Sequence, residues 1–259
     1  MVASEKAFAA ATAEIGVRDG FLTFFADDSI ELNGGTDGAS ATIGRAKDRL
    51  KTLPPPHLPL ANRLMWEPFT GQMAADGAVG WLTGASVTLN LATSEILRKG
   101  AYFSIWKRQS DGSWKVWLDH GISLPSVWQD ASPFRAAAEP DTGSAGAPNE
   151  SLDGVEKSVA AGGDAWRARL AATVRFHDDG HMPIVGKDAV VDFAARDRQT
   201  IKFSLLKLEQ ASSDDLGFAL GGYDAMTSAG AQHGTWIRVW RRDVTRRWRI
   251  VFETTKAER

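Results

Sequence analysis

Two histidines that flank an acidic turn form the most metal-like group in the sequence. His177 and His181 enclose two aspartates and a glycine. Imidazole nitrogens and carboxylate oxygens are ligands of zinc and of other divalent ions. Asp179-Gly180 is also a typical turn dipeptide, and no further ligand cluster stands out along the chain. We therefore expect a polar hairpin and no metal, with His177 and His181 as the residues to check.

His120 and Glu67 are the residues that could move protons. An imidazole on an inward-facing strand can act as acid or base in a cavity, although a structural histidine is the more ordinary interpretation. Glu67 lies in Trp66-Glu67-Pro68 and could line a cavity mouth, or be an exposed strand residue before an edge proline. We expect Trp66, Glu67, Trp81 and His120 to bind a ligand, and we assign no catalytic residue.

Other kinds of site find little support. The sequence has no Gly-x-Ser-x-Gly segment, and the glycine pairs at Gly34 and Gly221 lack the context of a dinucleotide site, so no cofactor is expected. Without cysteine, disulfides and thiolate sites are excluded. A net charge of −2 argues against nucleic acid, and no apolar run is long enough to span a membrane. We expect a soluble protein, cytoplasmic as the sequence stands, or exported if a leader precedes it.

The composition divides the chain into two domains and a connection. Residues 125–150 lose hydrophobic periodicity, and residues 136–148 are rich in proline, alanine, glycine and serine. Such a composition is typical of a flexible linker. The sequence therefore predicts domains at 1–124 and 151–259.

Helical patterns precede strand patterns in the first domain. A helix is predicted from about residue 4 to 25 with a break at Gly16, and a short helix over 44–50 ends before Pro54. Strand-like runs follow at 63–73, 77–89, 100–108 and 113–121. Asp111-Gly112 joins the last two as a hairpin turn. Helices followed by an antiparallel meander predict an α+β fold.

Part of the second half repeats the first. The spacing from Trp106 to Trp240 is identical to the spacing from Trp114 to Trp248. The Gly-x-x-x-Gly segment that begins at Gly80 recurs at Gly217, at a slightly longer spacing. Several ordered matches in one direction indicate a duplication, and the second copy is degenerate.

Six ordered segments of the first half carry a family resemblance: Glu5–Ala11, Phe21–Asp28, Ile43–Arg45, Trp66–Pro68, Gly80–Gly84 and Trp106–Val116. In this order they resemble the nuclear-transport-factor-2-like (NTF2-like) superfamily and, within it, the SnoaL-like branch. The resemblance covers nearly all of residues 1–123, whereas residues 151–256 match only the later strands and one helix start. It implies two cone-shaped units, each with N-terminal helices packed on a strongly curved antiparallel sheet around a cavity. The superfamily includes isomerases, dehydratases, cyclases and non-catalytic modules, so the fold does not choose the activity.

The hairpin register predicts the two faces of the sheet. With a two-residue loop, Phe103 faces His120 and Trp106 faces Trp117. The aliphatic face is the expected core, which leaves a row of aromatic residues outside. Exposed aromatic residues favour an interface between the two repeats, as a pseudo-dimer within one chain, with a homo-oligomer as the alternative. The predicted interface residues are Tyr102, Trp106, Trp117, Trp236, Trp240 and Val251.

Three classes of function follow. The first is a protein that binds a small apolar or amphipathic molecule in the cone of the first repeat, with the second repeat as support. The second is a cofactor-independent acid–base enzyme, an isomerase, dehydratase or cyclase. The third is a non-catalytic interaction module whose cavities are filled by side chains. The sequence leaves open whether the protein is an enzyme.

Overall fold

The computed structural model describes residues 1–35, 40–129, 133–160, 162–197, 200–227 and 230–258. The chain forms two compact units. Unit 1 comprises Met1–Glu31, Gly44–Ala137 and Gly180–Met182, and unit 2 comprises Leu32–Ile43, Ala138–Asp179 and Pro183–Arg259. Both units are α+β, with helices packed on a curved sheet, as the sequence predicts.

The first sheet has seven strands in the order β2-β1-β6-β5-β4-β3-β7. Its strands and the helices that accompany them are α1 Val2–Ile15, α2 Val17–Phe24, β1 Phe25–Asn33, β2 Thr42–Arg45, α3 Ala46–Thr52, β3 Asn62–Met73, β4 Val79–Asn90, β5 Ile96–Arg108, β6 Trp114–Ser123 and β7 Arg135–Ala136. Strands β3 to β6 form an antiparallel meander, whereas β1 pairs with β6 in parallel. The sheet is therefore mixed: its main part is the predicted antiparallel meander, and parallel pairings add β1 and β7 to it.

Local sequence signals end the elements where the sequence predicts. Gly16 lies between α1 and α2 with a φ of 86°, a conformation that a residue without Cβ adopts readily. Its N–H donates to Thr12 O at 3.0 Å, which closes the last turn of α1. Gly112 takes a φ of 82° in the hairpin between β5 and β6, where the Ser113 N–H donates to the Asp111 carboxylate at 2.9 Å.

The second sheet has six strands in the order β10-β11-β12-β13-β8-β9. The elements are α4 Leu152–Val159, α5 Gly163–Arg169, β8 Leu170–Asp178, β9 Ile184–Val185, α6 Lys187–Asp197, β10 Thr200–Gln210, β11 Leu216–Thr227, β12 Gly230–Arg242 and β13 Trp248–Ala257. Ser151 caps α4, since its hydroxyl accepts from the Gly154 N–H. β13 pairs with β8 in parallel, as β6 does with β1.

The two meanders share their irregularities as well as their order. A register shift follows Pro68 in β3, and another follows Leu205 in β10, at the same spacing that separates the two Gly-x-x-x-Gly segments. A shift also lies between Ile105 and Trp106 in β5, and between Val239 and Trp240 in β12, at the spacing of the repeated tryptophans. The alignment of Trp106 with Trp240 therefore holds in the strand pairing.

The segment predicted to be a flexible linker is held by hydrogen bonds. Residues 135–137 belong to unit 1, where β7 pairs with β3, and residues 138–150 belong to unit 2. Glu139 receives two hydrogen bonds from Arg241, and Asp141 accepts from the Ala172 N–H at 2.7 Å. The Gly143 backbone lies on the Arg249 guanidinium, where an added Cβ would approach within 2.5 Å. Composition missed these contacts because they depend on distant arginines.

Within the described ranges, no helix has both the length and the apolar character needed to cross a membrane.

Candidate functional site

A buried carboxyl group lies at the centre of unit 1. Glu5 of α1 is fully buried. Its Oε1 accepts from Trp66 Nε1 at 2.6 Å, and its Oε2 accepts from Ser104 Oγ and Trp106 Nε1, both at 2.7 Å. Burial raises the pKa of Glu5 above its ordinary value, and the three hydrogen bonds oppose that rise. We call Glu5, Trp66, Tyr102, Ser104 and Trp106 the Glu5 cluster.

Tyr102 is the member of the Glu5 cluster whose side-chain hydroxyl lacks a hydrogen-bond partner among the described residues. Its ring lies 6.2 Å from the ring of Trp66, and its hydroxyl is buried without a hydrogen-bond partner among the described residues. Burial, and then the charge of Glu5, raises the pKa of Tyr102 well above its ordinary value. Buried hydroxyl groups nearly always have partners, so this one needs an explanation.

Aromatic rings surround the Glu5 cluster. Phe8 of α1 makes an edge contact with Trp66 at 4.8 Å and lies 6.2 Å from Trp106. Phe21 of α2 approaches Trp66 at 6.2 Å. Trp66 is only partly buried, so the apolar wall of the cluster reaches the surface there.

Unit 2 has a buried carboxyl group at the matching place. Glu156 of α4 accepts from Trp240 Nε1 at 2.6 Å, as Glu5 accepts from Trp106. Arg238 takes the position of Ser104: it donates to Glu156 and, at 2.6 Å, to Glu253. Burial raises the pKa of Glu156, although the charge of Arg238 opposes this.

The guanidinium of Arg238 fills the interior of unit 2. It lies 4.8 Å from the rings of both Phe203 and Trp236. Trp236 takes the position of Tyr102, and its indole N–H donates to Gly222 O at 2.8 Å. The two units thus share a Glu–Trp pair and differ in the residues beside it.

The four predicted ligand-binding residues do not come together. Trp66 belongs to the face of the first sheet that the helices cover. Trp81 and His120 pair with Ile105 and Phe103, which point to the opposite face, and both are buried there. Glu67 is exposed and forms an ion pair with Lys6 at 2.7 Å. The prediction of one pocket lined by Trp66, Glu67, Trp81 and His120 is therefore wrong.

The helices of unit 1 cover the face of the sheet that was predicted to lie outside, and the predicted inner face is buried as well. Phe103 does pair with His120, and Ser104 with Asp119, as the hairpin predicts. A bulge at Trp117 then makes Trp106 face Val116. On the aromatic face that the helices cover, Glu5 accepts from the indole N–H groups of Trp66 and Trp106, and Glu156 accepts from that of Trp240.

Most of the residues predicted to form the interface between the repeats lie inside the units. Four of its residues lie in the hydrophobic cores of their own units: Tyr102, Trp106, Trp236 and Trp240. Trp117 and Val251 are also buried, and Lys107 lies 3.9 Å above the Trp117 ring. The aromatic face is thus core, and the assignment of these four residues to an outer surface is wrong. A pseudo-dimer within the chain, or a homo-oligomer, stays a prediction.

The two histidines singled out for metal binding have different surroundings. His177 is buried in β8, with its ring 4.9 Å from that of Phe252, whereas His181 is exposed. Burial lowers the pKa of His177 well below its ordinary value. Among the described residues, no three His, Asp or Glu side chains are grouped so that they could hold a metal ion.

A small cleft of about 70 Å³ lies in unit 2. Asp224 and His233 form one side of it, and Asp224 Oδ1 lies 2.6 Å from His233 Nδ1. Ser40 and Ser204 also line the cleft. Both members of the Asp–His pair are exposed, so this side of the cleft is open to water.

Sequence reasoning missed Glu5, Glu156 and Arg238 as central residues. The available signal was an acidic residue three positions before an apolar core residue: Glu5 before Phe8, and Glu156 before Val159. Three positions apart on a helix is the same face, so an acid there points into the core. Charged residues are usually exposed, which hid this pattern.

No family model and no curated protein matches this sequence. Solved structures do match, and the three described next each cover less than half of the chain. A ketosteroid isomerase-like protein from Erwinia carotovora atroseptica is 17% identical with a TM-score of 0.35, over 43% of this chain and 98% of its own. A putative ketosteroid isomerase from Parabacteroides distasonis is 14% identical with a TM-score of 0.33, over 43% and 91%. An NTF2-like protein of unknown function from Prochlorococcus marinus is 12% identical with a TM-score of 0.34, over 42% and 91%.

Proposed function

We propose that this chain is a tandem, SnoaL-like protein of the NTF2-like superfamily whose first unit binds one small apolar or amphipathic molecule. The binding site is the Glu5 cluster. Unit 2 is the degenerate copy and serves as structural support. The shared strand order supports the duplication, as do the bulges, whose spacings match those of the repeated glycine and tryptophan segments.

The Tyr102 hydroxyl, which is buried and has no hydrogen-bond partner among the described residues, is the observation that carries the proposal. A buried donor without an acceptor costs about 1–3 kcal/mol, so a ligand that brings an acceptor to it gains that energy back. The surrounding rings of Phe8, Phe21 and Trp66 suit a flat apolar body. The expected ligand is therefore a planar apolar molecule with one carbonyl or ether oxygen.

The contrast with unit 2 supports the choice of unit. There Trp236 and Arg238 take the places of Tyr102 and Ser104, and Arg238 extends to two carboxylates. Side chains thus occupy that interior, and its two carboxylates accept hydrogen bonds from Arg238 and Trp240. Because Ser104 is smaller than Arg238, unit 1 is the unit that we expect to bind the ligand.

Binding of 2-acetylnaphthalene tests the proposal, with saturation-transfer NMR and tryptophan fluorescence as readouts. Tyr102→Phe removes one hydrogen bond and should weaken binding roughly tenfold, the equivalent of about 1.4 kcal/mol. Tyr223→Phe is the matched control, because the Tyr223 hydroxyl donates to Gln232 Oε1 at 3.1 Å in unit 2. Equal affinity of both variants, or no binding by the wild type, would contradict the proposal.

An acid–base enzyme at the same site is the second candidate. The raised pKa of Glu5 is the observation that favours it, because a carboxyl group that titrates nearer to neutral pH can exchange protons with a substrate. Incubation of 2-acetylnaphthalene in D₂O distinguishes the two functions. An enzyme would incorporate deuterium next to the carbonyl and lose this activity in Glu5→Gln, whereas a binding protein would not incorporate it.

A further inference from the structure

The edge strands of the two meanders, β3 and β10, have a bulge at the same position. In the first sheet, Thr70 pairs with Thr83 and Gly71 with Leu82, directly after the bulge in β3. In the second sheet, Lys207 pairs with Leu220 and Leu208 with Ala219, directly after the bulge in β10. Lys207 and Leu208 are thus the counterparts of Thr70 and Gly71, at the spacing that the two bulges share. The backbones therefore present the same positions at the two edges.

In unit 1 a short strand already occupies this edge. β7 pairs with β3 in parallel, Arg135 beside Thr70 and Ala136 beside Gly71. The Ala137 N–H donates to Gly71 O at 2.9 Å. Side chains of β3 also hold β7: Thr70 Oγ1 donates to Arg135 O at 2.8 Å, and Gln72 Nε2 donates to Ala137 O at 3.3 Å.

In unit 2 the same edge has no added strand. β10 is the terminal strand of its sheet in the part of the chain that the structure describes. Leu205 and Leu206, at the bulge, are 37% and 42% exposed. An accessible strand edge with apolar side chains is a surface to which another extended chain can add.

We infer that β10 is a docking site for an extended peptide segment of a partner, which adds in parallel beside Lys207 and Leu208. The bulge twists the strand before these residues, so only a short segment fits, as β7 does in unit 1. Lys207 and Glu209 take the places of Thr70 and Gln72, and they form an ion pair with each other at 3.0 Å. The peptide is therefore held through the backbone of β10, as β7 is held through Gly71 O in unit 1. The peptide that the structure itself provides as a template is residues 133–139, Pro-Phe-Arg-Ala-Ala-Ala-Glu.

Hydrogen exchange of the full chain with this synthetic peptide in excess tests the inference. The expected result is slower amide exchange in residues 205–210. In the control peptide, proline replaces the alanine that corresponds to Ala137. This peptide lacks the backbone N–H that, in the chain itself, donates to Gly71 O in unit 1. It should give at least roughly tenfold weaker protection, the effect of losing one well-placed hydrogen bond.

Two variants of the protein complete the test. In unit 1 the C=O of Gly71 points to the edge of the sheet, where it accepts from Ala137. The C=O of Leu208, its counterpart, therefore points to the open edge of β10, and so does its N–H, because the two groups of one strand residue point to the same side. Leu208→Pro removes that N–H, and Leu208→Ala keeps it while losing the same side chain. The inference is supported if the peptide slows amide exchange in Leu208→Ala but not in Leu208→Pro. If Leu208→Pro does not fold, the comparison of the two peptides on the wild-type protein decides instead. Absence of protection in the wild type, equal protection by both peptides, or self-association of the chain through β10 would overturn it.

Discussion

The indole N–H of Trp106 donates to the carboxylate of Glu5 at 2.7 Å, and this bond joins the first helix to the middle of the first sheet. Glu156 and Trp240 make the same bond at 2.6 Å in unit 2. A helix anchored in this way presents its apolar face to the aromatic side of the sheet. The carboxyl group thus anchors the first helix over the aromatic face of the sheet.

Removal of Glu5 should destabilise unit 1. Glu5→Ala leaves the N–H groups of Trp66 and Trp106 buried without an acceptor, and we expect a loss of about 2–4 kcal/mol in the free energy of unfolding. Urea denaturation followed by tryptophan fluorescence measures it. Glu67→Ala is the control, since Glu67 is 69% exposed in its ion pair with Lys6 and should change stability by less than about 0.5 kcal/mol. A loss for Glu5→Ala as small as that of the control would show that the carboxyl is not an anchor.

Tyr102 should ionise only when the protein unfolds. Burial and the nearby charge of Glu5 raise the pKa of Tyr102 well above its ordinary value. Absorbance at alkaline pH should therefore show a late component from Tyr102, which Tyr102→Phe should remove and Tyr223→Phe should leave. Because the Tyr102 hydroxyl has no hydrogen-bond partner among the described residues, Tyr102→Phe should leave stability unchanged or raise it by up to about 1 kcal/mol. A late component of the same size in Tyr102→Phe as in the wild type would rule out this environment.

Arg238 should be essential to unit 2 as long as its two carboxylates remain. Arg238→Leu leaves Glu156 and Glu253 buried without a cation and should cost about 3–5 kcal/mol. The triple variant Arg238→Leu, Glu156→Gln and Glu253→Gln removes the charges together and should recover much of that loss. The control is Arg167→Leu, which breaks an exposed pair with Asp164. Chemical denaturation compares the three, and a triple variant no more stable than Arg238→Leu would refute the charge argument.

Sequence patterns predicted the helices, the strands and the strand pairing better than they predicted which face of the sheet the helices cover. The predicted pairs from Phe103 to Ile105 are observed, but the turn joins Gln109 to Ser113 and has three residues, and the bulge at Trp117 restores the predicted register. The bulge at Trp117 escaped, since one extra residue in a strand has no signature in hydrophobic alternation. The spacing of Trp106 and Trp240 indicated the repeat because insertions left the last two strands of each half unchanged.

The site could not be located from sequence for a different reason. Both faces of the first sheet are buried, Trp106 on one and Trp81 on the other, so alternation could not tell which face the helices cover. The decisive residue was Glu5, on a helix far from Trp106 in sequence. Its role appears only when helix and sheet are packed together.

Acid should destabilise the protein through His177. Burial lowers the pKa of His177 well below the 6.5 of an exposed histidine, so the unfolded chain binds more protons below that pH than the folded chain does. Stability from this group is full above about pH 6.5 and declines as the pH falls below it. His177→Phe cannot bind the proton and should show a shallower decline between neutral pH and pH 5 than the wild type. His181→Phe is the control, because His181 is exposed and should keep the decline of the wild type. Melting temperatures across this pH range provide the measurement, and parallel curves for wild type and His177→Phe would show that His177 does not contribute.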